Sequence, residues 1–206
     1  MAGTALYATR EQAKYRMELA ATDTNFDALI DDLLELASRK IDDYCNVTHG
    51  HFAAGTATET RYYTADDAHC LYVDGLLSIS SSGLETDNGA NRTYSSTWST
   101  TAFDLLPYNA ALENRPYREI ATVSSGTRSF PIGVAKGVKI TGVFGHNVTV
   151  LPQIREACLL LLARFKARQA SPFATLGSAE VGVFRISSVD PDVQALLDPF
   201  RMRVFG

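Results

Sequence analysis

Residues 24–46, TNFDALIDDLLELASRKIDDYCN, contain the clearest structural element of the sequence. Apolar residues recur at three- and four-residue steps, which is the spacing of one face of an α-helix: Phe26, Ile30, Leu33, Leu34, Ala37, Ile41, Tyr44 and Cys45. Thr24 is the expected N-cap and Asn46 the expected end. The other face carries the acidic residues Asp31, Asp32, Glu35, Asp42 and Asp43. The pattern predicts a helix with one buried side and one solvated acidic side.

Three further helices are predicted around this one. Thr9 and Gln12 have the spacing of a capping box, so a helix is expected from residue 10 to about residue 19. Pro152 suits a first helical position and opens a long helix in which Leu159 and Leu160 widen the apolar stripe past the usual arc. Such a helix is either central in its own domain or partly covered by another subunit. Asp190 and Pro191 open a short last helix.

Between the second and third helices the apolar period shortens to two. Short strands are predicted at residues 60–64, 70–73, 93–98, 103–106, 117–123 and 137–144, and a strand-like run lies at 181–186. We therefore predict an α+β fold with a helical core of three main helices plus a short C-terminal helix. A β-rich insertion at 50–148 interrupts that core, which comprises 1–49 and 149–206.

Composition and charge exclude several classes of protein. The net charge of -4 argues against a protein that grips nucleic acid, because such proteins carry clustered Lys and Arg. Three dispersed cysteines give no disulfide framework and indicate a reducing compartment. The N-terminal residues lack the apolar core of a secretory signal, and no apolar stretch approaches the ~20 residues of a membrane span.

No catalytic or metal-binding pattern is present in the sequence. His49 and His51 could begin a metal site, but no zinc-type spacing connects them to His69 or His146, and exposed turn histidines are favoured. No nucleophile elbow or phosphate-binding glycine loop occurs. We expect no enzyme activity, no catalytic residue, no cofactor and no metal.

The aromatic residues of the β region allow two interpretations. Tyr62, Tyr63, Tyr72, Tyr94, Trp98, Phe103 and Tyr108 are spread without accompanying Lys or Arg in sequence, which favours core and interface packing over a nucleic-acid platform. The alternative function is a carbohydrate- or surface-binding β module on a helical base, in which Trp98 and Tyr94 would be exposed platforms.

The C-terminal residues form an amphipathic, basic segment, the C-terminal arm: Phe200, Arg201, Met202, Arg203, Val204 and Phe205. Aromatic and Arg side chains are enriched as anchors of protein interfaces. The residues alone leave two possibilities open, docking on a partner and folding back as an edge strand on the chain's own domain.

Three segments taken together resemble the head-to-tail connector (adaptor) proteins of long-tailed bacteriophages. The first is Ala37-Ser38-x-x-Ile41-Asp42-x-Tyr44-Cys45, leading to Phe52. The second is Val138-x-Ile140-Thr141-Gly142-x-Phe144-Gly145, followed by Pro152-x-Ile154-x-x-Ala157. The third is Leu196-Leu197-Asp198-Pro199-Phe200-Arg201. The long β-rich stretch departs from compact members of that family, so its role is not carried over.

The resemblance implies a structural virion protein that works as one copy in a homo-oligomeric ring, usually twelve-fold. The ring lies in the neck, between the portal protein and the stopper or tail protein, and DNA passes through it during genome ejection without specific binding. The resemblance also implies that the C-terminal arm engages the portal. Leu159 and Leu160 are then candidates for packing between subunits, and the acidic face of the second helix is a candidate for the channel wall. The protein would be made in the bacterial host cytoplasm.

Overall fold

The computed structural model describes residues 5–170, 175–176, 184–185 and 190–202, and the chain divides into two compact units. The helical unit comprises Met1–Phe52 and Val150–Gly206, and the β unit comprises Ala53–Thr149. The helical unit contains α1 (Arg10–Arg16), α2 (Asp27–Cys45), α3 (Pro152–Ala170) and α4 (Pro191–Leu197). Single 3-10 turns lie at His51–Ala53 and Asp198–Phe200. A two-stranded pair, β7 (Thr175–Leu176) with β8 (Phe184–Arg185), is also described. The predicted run at 181–186 otherwise lies outside the described residues.

The helix ends follow the capping residues in most cases. The Thr9 side chain accepts a hydrogen bond from the Gln12 main chain and the Gln12 side chain accepts one from Thr9, which confirms the predicted capping box. Asn46 ends α2 in the left-handed conformation with φ of 55°, as predicted. The predicted N-cap Thr24 is wrong: residue 26 occupies that position without a side-chain bond, and α2 begins at Asp27.

Helix α2 buries the face that its periodicity predicts. Ile30, Leu34, Ala37, Ile41 and Cys45 are almost completely inaccessible to solvent. Helix α3 packs against α1, α2 and α4 and presents no fully exposed residue between its positions 154 and 166. An apolar helix of this kind stabilises its unit through burial on several sides, at about 25 cal/mol for each Å² of apolar surface removed from water.

The β unit is a six-stranded antiparallel sheet: β1 (Glu59–Tyr63), β2 (Cys70–Thr86), β3 (Ser96–Thr97), β4 (Phe103–Leu106), β5 (Tyr117–Thr122) and β6 (Val138–Phe144). The strand order is β1-β6-β2-β5-β4, and the short β3 also pairs with β2. Strand β2 is therefore central. It pairs with β6 along one side, and with β5 and then β3 along the other.

The length of β2 was not evident from its sequence, which predicted a strand only at residues 70–73. Gly75 has φ of 71° and lies where the register between β2 and β5 shifts, so it forms a bulge that lets the strand continue. On the facing strand, a Cβ at Gly142 would collide with the Ser78 carbonyl oxygen. A glycine at this position permits the close approach of β6 to the serine-rich half of β2.

The sheet builds its own hydrophobic core. Trp98 is 1% exposed, stacks on Phe130 at a centroid distance of 4.8 Å, and donates its indole N–H to the Thr86 hydroxyl at 3.2 Å. Its buried neighbours are Ala65, Leu71, Val73, Leu76, Leu84, Phe103, Ile120, Val138, Ile140 and Phe144. A buried tryptophan with a bonded N–H organises a core without leaving a polar atom unsatisfied.

This architecture corrects the predicted fold class. An α+β fold in which a helical core of three main helices carries a β-rich insertion is wrong, because the sheet is not an accessory to a helical core. It closes its own apolar core, and the chain forms two compact units. The described residues also form two long helices instead of the three main helices predicted, since α2 and α3 have 19 residues each and α1 has only 7. Over that same part of the chain, no helix is long and apolar enough to cross a membrane.

The core of the β unit gives a direct stability test. Ile140 is fully buried. The substitution Ile140→Ala is expected to lower the free energy of unfolding by about 2–5 kcal/mol, because apolar burial is lost and a cavity remains. Urea unfolding followed by Trp98 emission measures it, because Trp98 is the one tryptophan of the chain. The matched control Ile132→Ala, at a site 59% exposed, should change stability by less than ~0.5 kcal/mol. Equal effects of the two variants would contradict the assigned core.

Candidate interaction surface at the C-terminal arm

Helix α4 leads into the C-terminal arm and is fixed at both ends. Asp190 caps it by accepting the Asp192 main-chain N–H at 3.0 Å, and Pro191 takes the first position, as the sequence predicts. The Asp190 carboxylate also lies 3.3 Å from the Arg164 guanidinium of α3. Val193 and Leu197 bury the inner face of α4. The arm therefore leaves from a helix that is itself held in place.

The main chain at the start of the arm is hydrogen bonded to the end of α2. Met202 donates its N–H to the Cys45 carbonyl oxygen at 2.8 Å, and its own carbonyl oxygen accepts from the Asn46 side-chain amide at 3.4 Å. These bonds use groups at the C-terminal end of α2, where carbonyl oxygens lack partners within the helix. The chain path through Met202 is thereby determined. Arg203, Val204 and Phe205 lie outside the described residues.

Side chains of the same region fix the turn before the arm. The Tyr44 hydroxyl donates to the Asp198 carboxylate at 2.6 Å, and this hydrogen bond raises the pKa of Tyr44 above its ordinary value. The Arg201 guanidinium lies 5.1 Å from the centre of the Tyr44 ring, within the range of a cation–π contact. Arg201 itself is exposed. Its charge is therefore available at the surface while its orientation is constrained by the ring.

Phe200 packs within its own unit. Its ring meets Phe52 edge-on, with a centroid distance of 5.8 Å and an interplanar angle of 81°. Phe52 is buried and contacts Tyr7 in a second edge-on pair at 5.7 Å. Such pairs contribute ~0.5–1.5 kcal/mol beyond area burial. Of the predicted portal-binding residues, Phe200 thus belongs to the internal packing at the base of the arm, whereas Arg201 is exposed and Met202 half-buried.

A buried hydrogen-bond network supports this base. The Tyr7 hydroxyl donates to the Asp42 carboxylate and accepts the Phe52 main-chain N–H at 3.4 Å. Asp42 also accepts the Gly50 N–H at 3.2 Å and lies 3.2 Å from the Arg39 guanidinium. Burial raises the pKa of Asp42 above its ordinary value, and the bond from Tyr7, the Gly50 N–H and the Arg39 charge oppose that shift. Burial, together with the hydrogen bond to Asp42, also raises the pKa of Tyr7 far above its ordinary value.

Sequence patterns missed this network. Asp42 was assigned to the solvated acidic face of α2, yet its side chain is fully buried. Tyr7 precedes the first helix and gave no periodic signal. Asp31 also contributes less free negative charge to the acidic face than predicted, because it is half-buried and forms an ion pair with Arg10. The acidic residues of that face that remain exposed are Asp32, Glu35 and Asp43.

A groove opens between α2, α3 and α4 beside the base of the arm. This α2–α4 groove has a volume of about 240 Å³. Its apolar lining is Tyr44, Leu161, Phe165, Val193 and Leu197, and its polar rim is Lys40, Asp43, Arg164, Arg168, Asp190 and Gln194. Tyr44 belongs both to the groove and to the contacts that hold the arm.

The two residues predicted to pack between subunits, Leu159 and Leu160, are consecutive in α3 but differ in exposure. Leu159 is 8% exposed and lines the cleft between α1 and α3, so most of its surface is already covered within one chain. Leu160 is half-buried and retains surface for a neighbour. Their role between subunits stays a prediction. Tyr15, at 88% exposure on α1, is the most exposed large apolar side chain of the described helical unit.

The aromatic residues of the β unit separate into core and surface groups. Trp98 is part of the core, so the alternative in which it forms a ligand platform is wrong. Tyr62 is 48% exposed and packs at 5.7 Å against Tyr94. The Lys136 and Lys139 ammonium groups lie 5.9 Å from the Tyr62 ring and 5.7 Å from the Tyr94 ring, respectively. The sequence did not show these contacts, because Lys136 lies 74 positions after Tyr62 and Lys139 lies 45 positions after Tyr94.

Neither the histidines nor the cysteines form a recognisable reactive centre in the described structure. Within residues 5–170 and 190–202, no group of three His, Cys, Asp or Glu side chains could hold a metal ion. All three cysteines are free thiols, and burial raises the pKa of Cys45 to about 12 and that of Cys158 to about 11. Thiols with pKa values in this range remain protonated near neutral pH and are poor nucleophiles.

Comparison with known proteins finds similarity at the level of structure and none at the level of sequence. No family model matches the sequence, and no curated protein matches it either. A chain from the neck of an empty GTA particle, computed with C6 symmetry, shares 16% identity and a TM-score of 0.57, covering 95% of this chain and 90% of its own. A chain from the neck of a native GTA particle, computed with C12 symmetry, shares 18% identity and a TM-score of 0.55, covering 98% and 95%.

These likenesses establish the fold of the chain over almost its whole length. GTA particles are gene transfer agents, which are phage-like. The resemblance to head-to-tail connector proteins, inferred from three sequence segments, is confirmed at the level of the fold by these neck structures. At this identity the solved structures transfer no residue role to this chain.

The buried network below the arm can be tested by removing one hydroxyl. Tyr7→Phe leaves the Asp42 carboxylate buried with one donor fewer, so the free energy of unfolding is expected to fall by about 1–3 kcal/mol. Chemical denaturation followed by circular dichroism measures this change. The control Tyr15→Phe, at an exposed position, should be neutral within ~0.5 kcal/mol. A neutral Tyr7→Phe would contradict the network.

The raised pKa of Asp42 gives a signed dependence on pH. Below the ordinary aspartate pKa of 3.8, Asp42 is protonated in both the folded and the unfolded chain. Between that value and the higher pKa of Asp42 in the folded chain, only the unfolded chain releases the proton. The stability of the natural chain relative to Asp42→Asn is therefore expected to fall as pH rises from about 4. Urea midpoints at a series of pH values measure it. The exposed Asp32→Asn is the control, and a relative stability of the natural chain that rises with pH would contradict the burial of this carboxylate.

Proposed function

We propose that this chain is a structural protein of a phage-like virion neck, a head-to-tail adaptor whose copies form a ring between the portal protein and the stopper or tail protein. The observation that carries the proposal is the shared fold with two neck chains over at least 95% of this chain. The C6 and C12 symmetries of those particles support a homo-oligomeric ring, and we infer twelve copies. DNA passes through the ring without specific binding, and no step is catalytic.

The charge of the chain agrees with a channel that DNA traverses. The formal charge of -4 in each copy gives a ring of ~12 copies a charge on the order of -50, which repels the phosphate backbone instead of trapping it. Asp32, Glu35 and Asp43 are the exposed acidic groups that α2 can offer to the channel wall. Cyclic rings use heterologous contacts, in which one face of a subunit meets a different face of the next. In the proposed ring, Leu160 and Tyr15 supply apolar surface for such contacts.

The arm is the proposed contact with the portal. Its base is rigid, because Met202 is bonded to the end of α2 and the aromatic ring of Phe200 packs on Phe52. Rigid placement lowers the ordering cost of binding and therefore favours affinity. The binding residues proper are then Arg201 and the following Arg203, Val204 and Phe205. The division into domains at 1–49 with 149–206 and at 50–148 is part of the same proposal.

The proposal is tested by mixing the purified chain with purified portal rings and imaging the product by electron microscopy. We expect a ring of this chain stacked coaxially on the portal. Deleting residues 203–206, which lie beyond the bonded Met202, should preserve circular dichroism and Trp98 emission. It should weaken portal binding in a pull-down at least about ten-fold, or ~1.4 kcal/mol.

The deletion begins at residue 203 because removing Phe200 and Met202 would also remove contacts inside the helical unit. Tyr108→Ala, an exposed residue of the β unit, is the control and should bind portal normally. Portal binding unchanged by the deletion would contradict the role of the arm. The absence of any complex between the intact chain and the portal would contradict the adaptor function itself.

A further inference from the structure

The α2–α4 groove is lined by one face of each of three helices in the helical unit. On α2 and α3 the lining residues follow one another at steps of three or four, the spacing of a single helix face: Lys40, Asp43 and Tyr44, and then Leu161, Arg164, Phe165 and Arg168. The volume of about 240 Å³ lies below the ~300–1,000 Å³ typical of pockets for small molecules. The groove therefore has the size of a site for individual side chains of a protein segment.

The lining of the groove leaves apolar surface in contact with water. Val193 and Leu197 of α4 are buried, whereas Leu161 and Phe165 of α3 are only half-buried. An apolar side chain placed against Leu161 and Phe165 removes that remaining surface from water, which favours binding.

The rim of the groove carries more positive than negative charge. Three cations, Lys40, Arg164 and Arg168, stand against two carboxylates, Asp43 and Asp190. The Asp190 carboxylate is already engaged, because it caps α4 and lies 3.3 Å from the Arg164 guanidinium. Lys40 and Arg168 have no ion pair within the described part of the chain. The charge that complements this rim is therefore an anion.

Arg168 has a donor that the described residues leave unused. Its Nε is buried and has no hydrogen-bond acceptor among them. A buried donor without an acceptor is destabilising, so a group that supplies the acceptor gains more than an exposed ion pair does. A guanidinium binds a carboxylate through two parallel N–H bonds, which amides and hydroxyls do not match in strength.

We propose that the α2–α4 groove binds a segment of a partner protein in which an apolar side chain stands next to a carboxylate. The apolar side chain covers Leu161 and Phe165, and the carboxylate pairs with Arg168 and with Lys40 at the rim. A segment with an amide in place of the carboxylate leaves the Arg168 donor unpaired, and one with a cation meets like charge, so the rim selects the acidic segment. This assignment goes beyond the proposed function and does not depend on it.

Photo-crosslinking with a short synthetic peptide tests the proposal. The probe is the capped peptide Gly-Leu-X-Glu-Gly, in which X is benzoylphenylalanine, irradiated with the intact chain and followed by mass spectrometry of the tryptic peptides. We expect links to the α3 peptide that contains Leu161 or to the α4 peptide that contains Val193. The matched probe with Gln in place of Glu should give at least about three-fold fewer links, because it lacks the charge-assisted bond.

Variants of the chain assign the selectivity to the rim. Arg168→Gln should lower the yield of the Glu probe to that of the Gln probe and leave the Gln probe unchanged. Lys40→Gln, at an exposed position, should act in the same direction and remains informative if Arg168→Gln fails to fold. Lys166→Gln is the matched control, since it removes the same charge from α3 outside the groove lining and should leave both yields unchanged.

Several outcomes would overturn the proposal. Equal yields with the Glu and Gln probes would remove the role of the cations, and links confined to other peptides would remove the site. Groove links that appear only after deletion of residues 203–206 would assign the groove to the chain's own arm. Rim variants that alter self-association in analytical ultracentrifugation without altering the probe links would assign it to a second copy of the chain.

Discussion

The helical unit depends on the protein hydrogen bonds and the ion pair that stabilise one buried carboxylate. Asp42 has no exposed surface, and an unpaired buried charge would be strongly destabilising. Its bonds to the Tyr7 hydroxyl and the Gly50 N–H, and its proximity to Arg39, provide the donors it needs. These partners come from the segment before α1, the turn after α2 and α2 itself. Satisfying one side chain therefore fixes three parts of the chain relative to one another.

The base of the C-terminal arm is built on that arrangement. The Tyr7 hydroxyl that donates to Asp42 also accepts the Phe52 main-chain N–H, and the Phe52 ring receives Phe200. A polar network and an aromatic cluster thus share one residue, Tyr7, so the polar contacts determine where the aromatic contacts form. The arm begins from a defined point because the Cys45 carbonyl oxygen, at the end of α2, accepts the Met202 N–H. Local order at that point is what a docking segment requires.

The β unit is stabilised by a different set of interactions. Its stability comes from apolar packing around Trp98 and from an antiparallel sheet in which the long central β2 shares its two sides among three strands. Gly75 permits the bulge that lets β2 continue past its register shift with β5. Gly142 permits the close approach of β6 to the Ser78 carbonyl oxygen of β2. The surface of the unit retains aromatic and cationic groups that contact one another, including Tyr62 and Lys136. In the proposed neck role, aromatic and cationic surface groups are suited to contacts with other proteins.

The sequence alone determined the features that depend on local interactions. The periodicity of α2, the capping box at Thr9, the proline starts of α3 and α4 and the strand at 103–106 all follow from contacts within a few residues. The concatenation of three motifs also gave the resemblance that the neck structures confirm at the level of the fold. The tertiary structure decided the rest: the true length of β2, the existence of a separate β core, the burial of Asp42 and Trp98, and the internal role of Phe200. Each of these depends on groups distant in sequence, such as Tyr7 for Asp42 and Phe130 for Trp98, and no local pattern encodes which distant partner a side chain will meet.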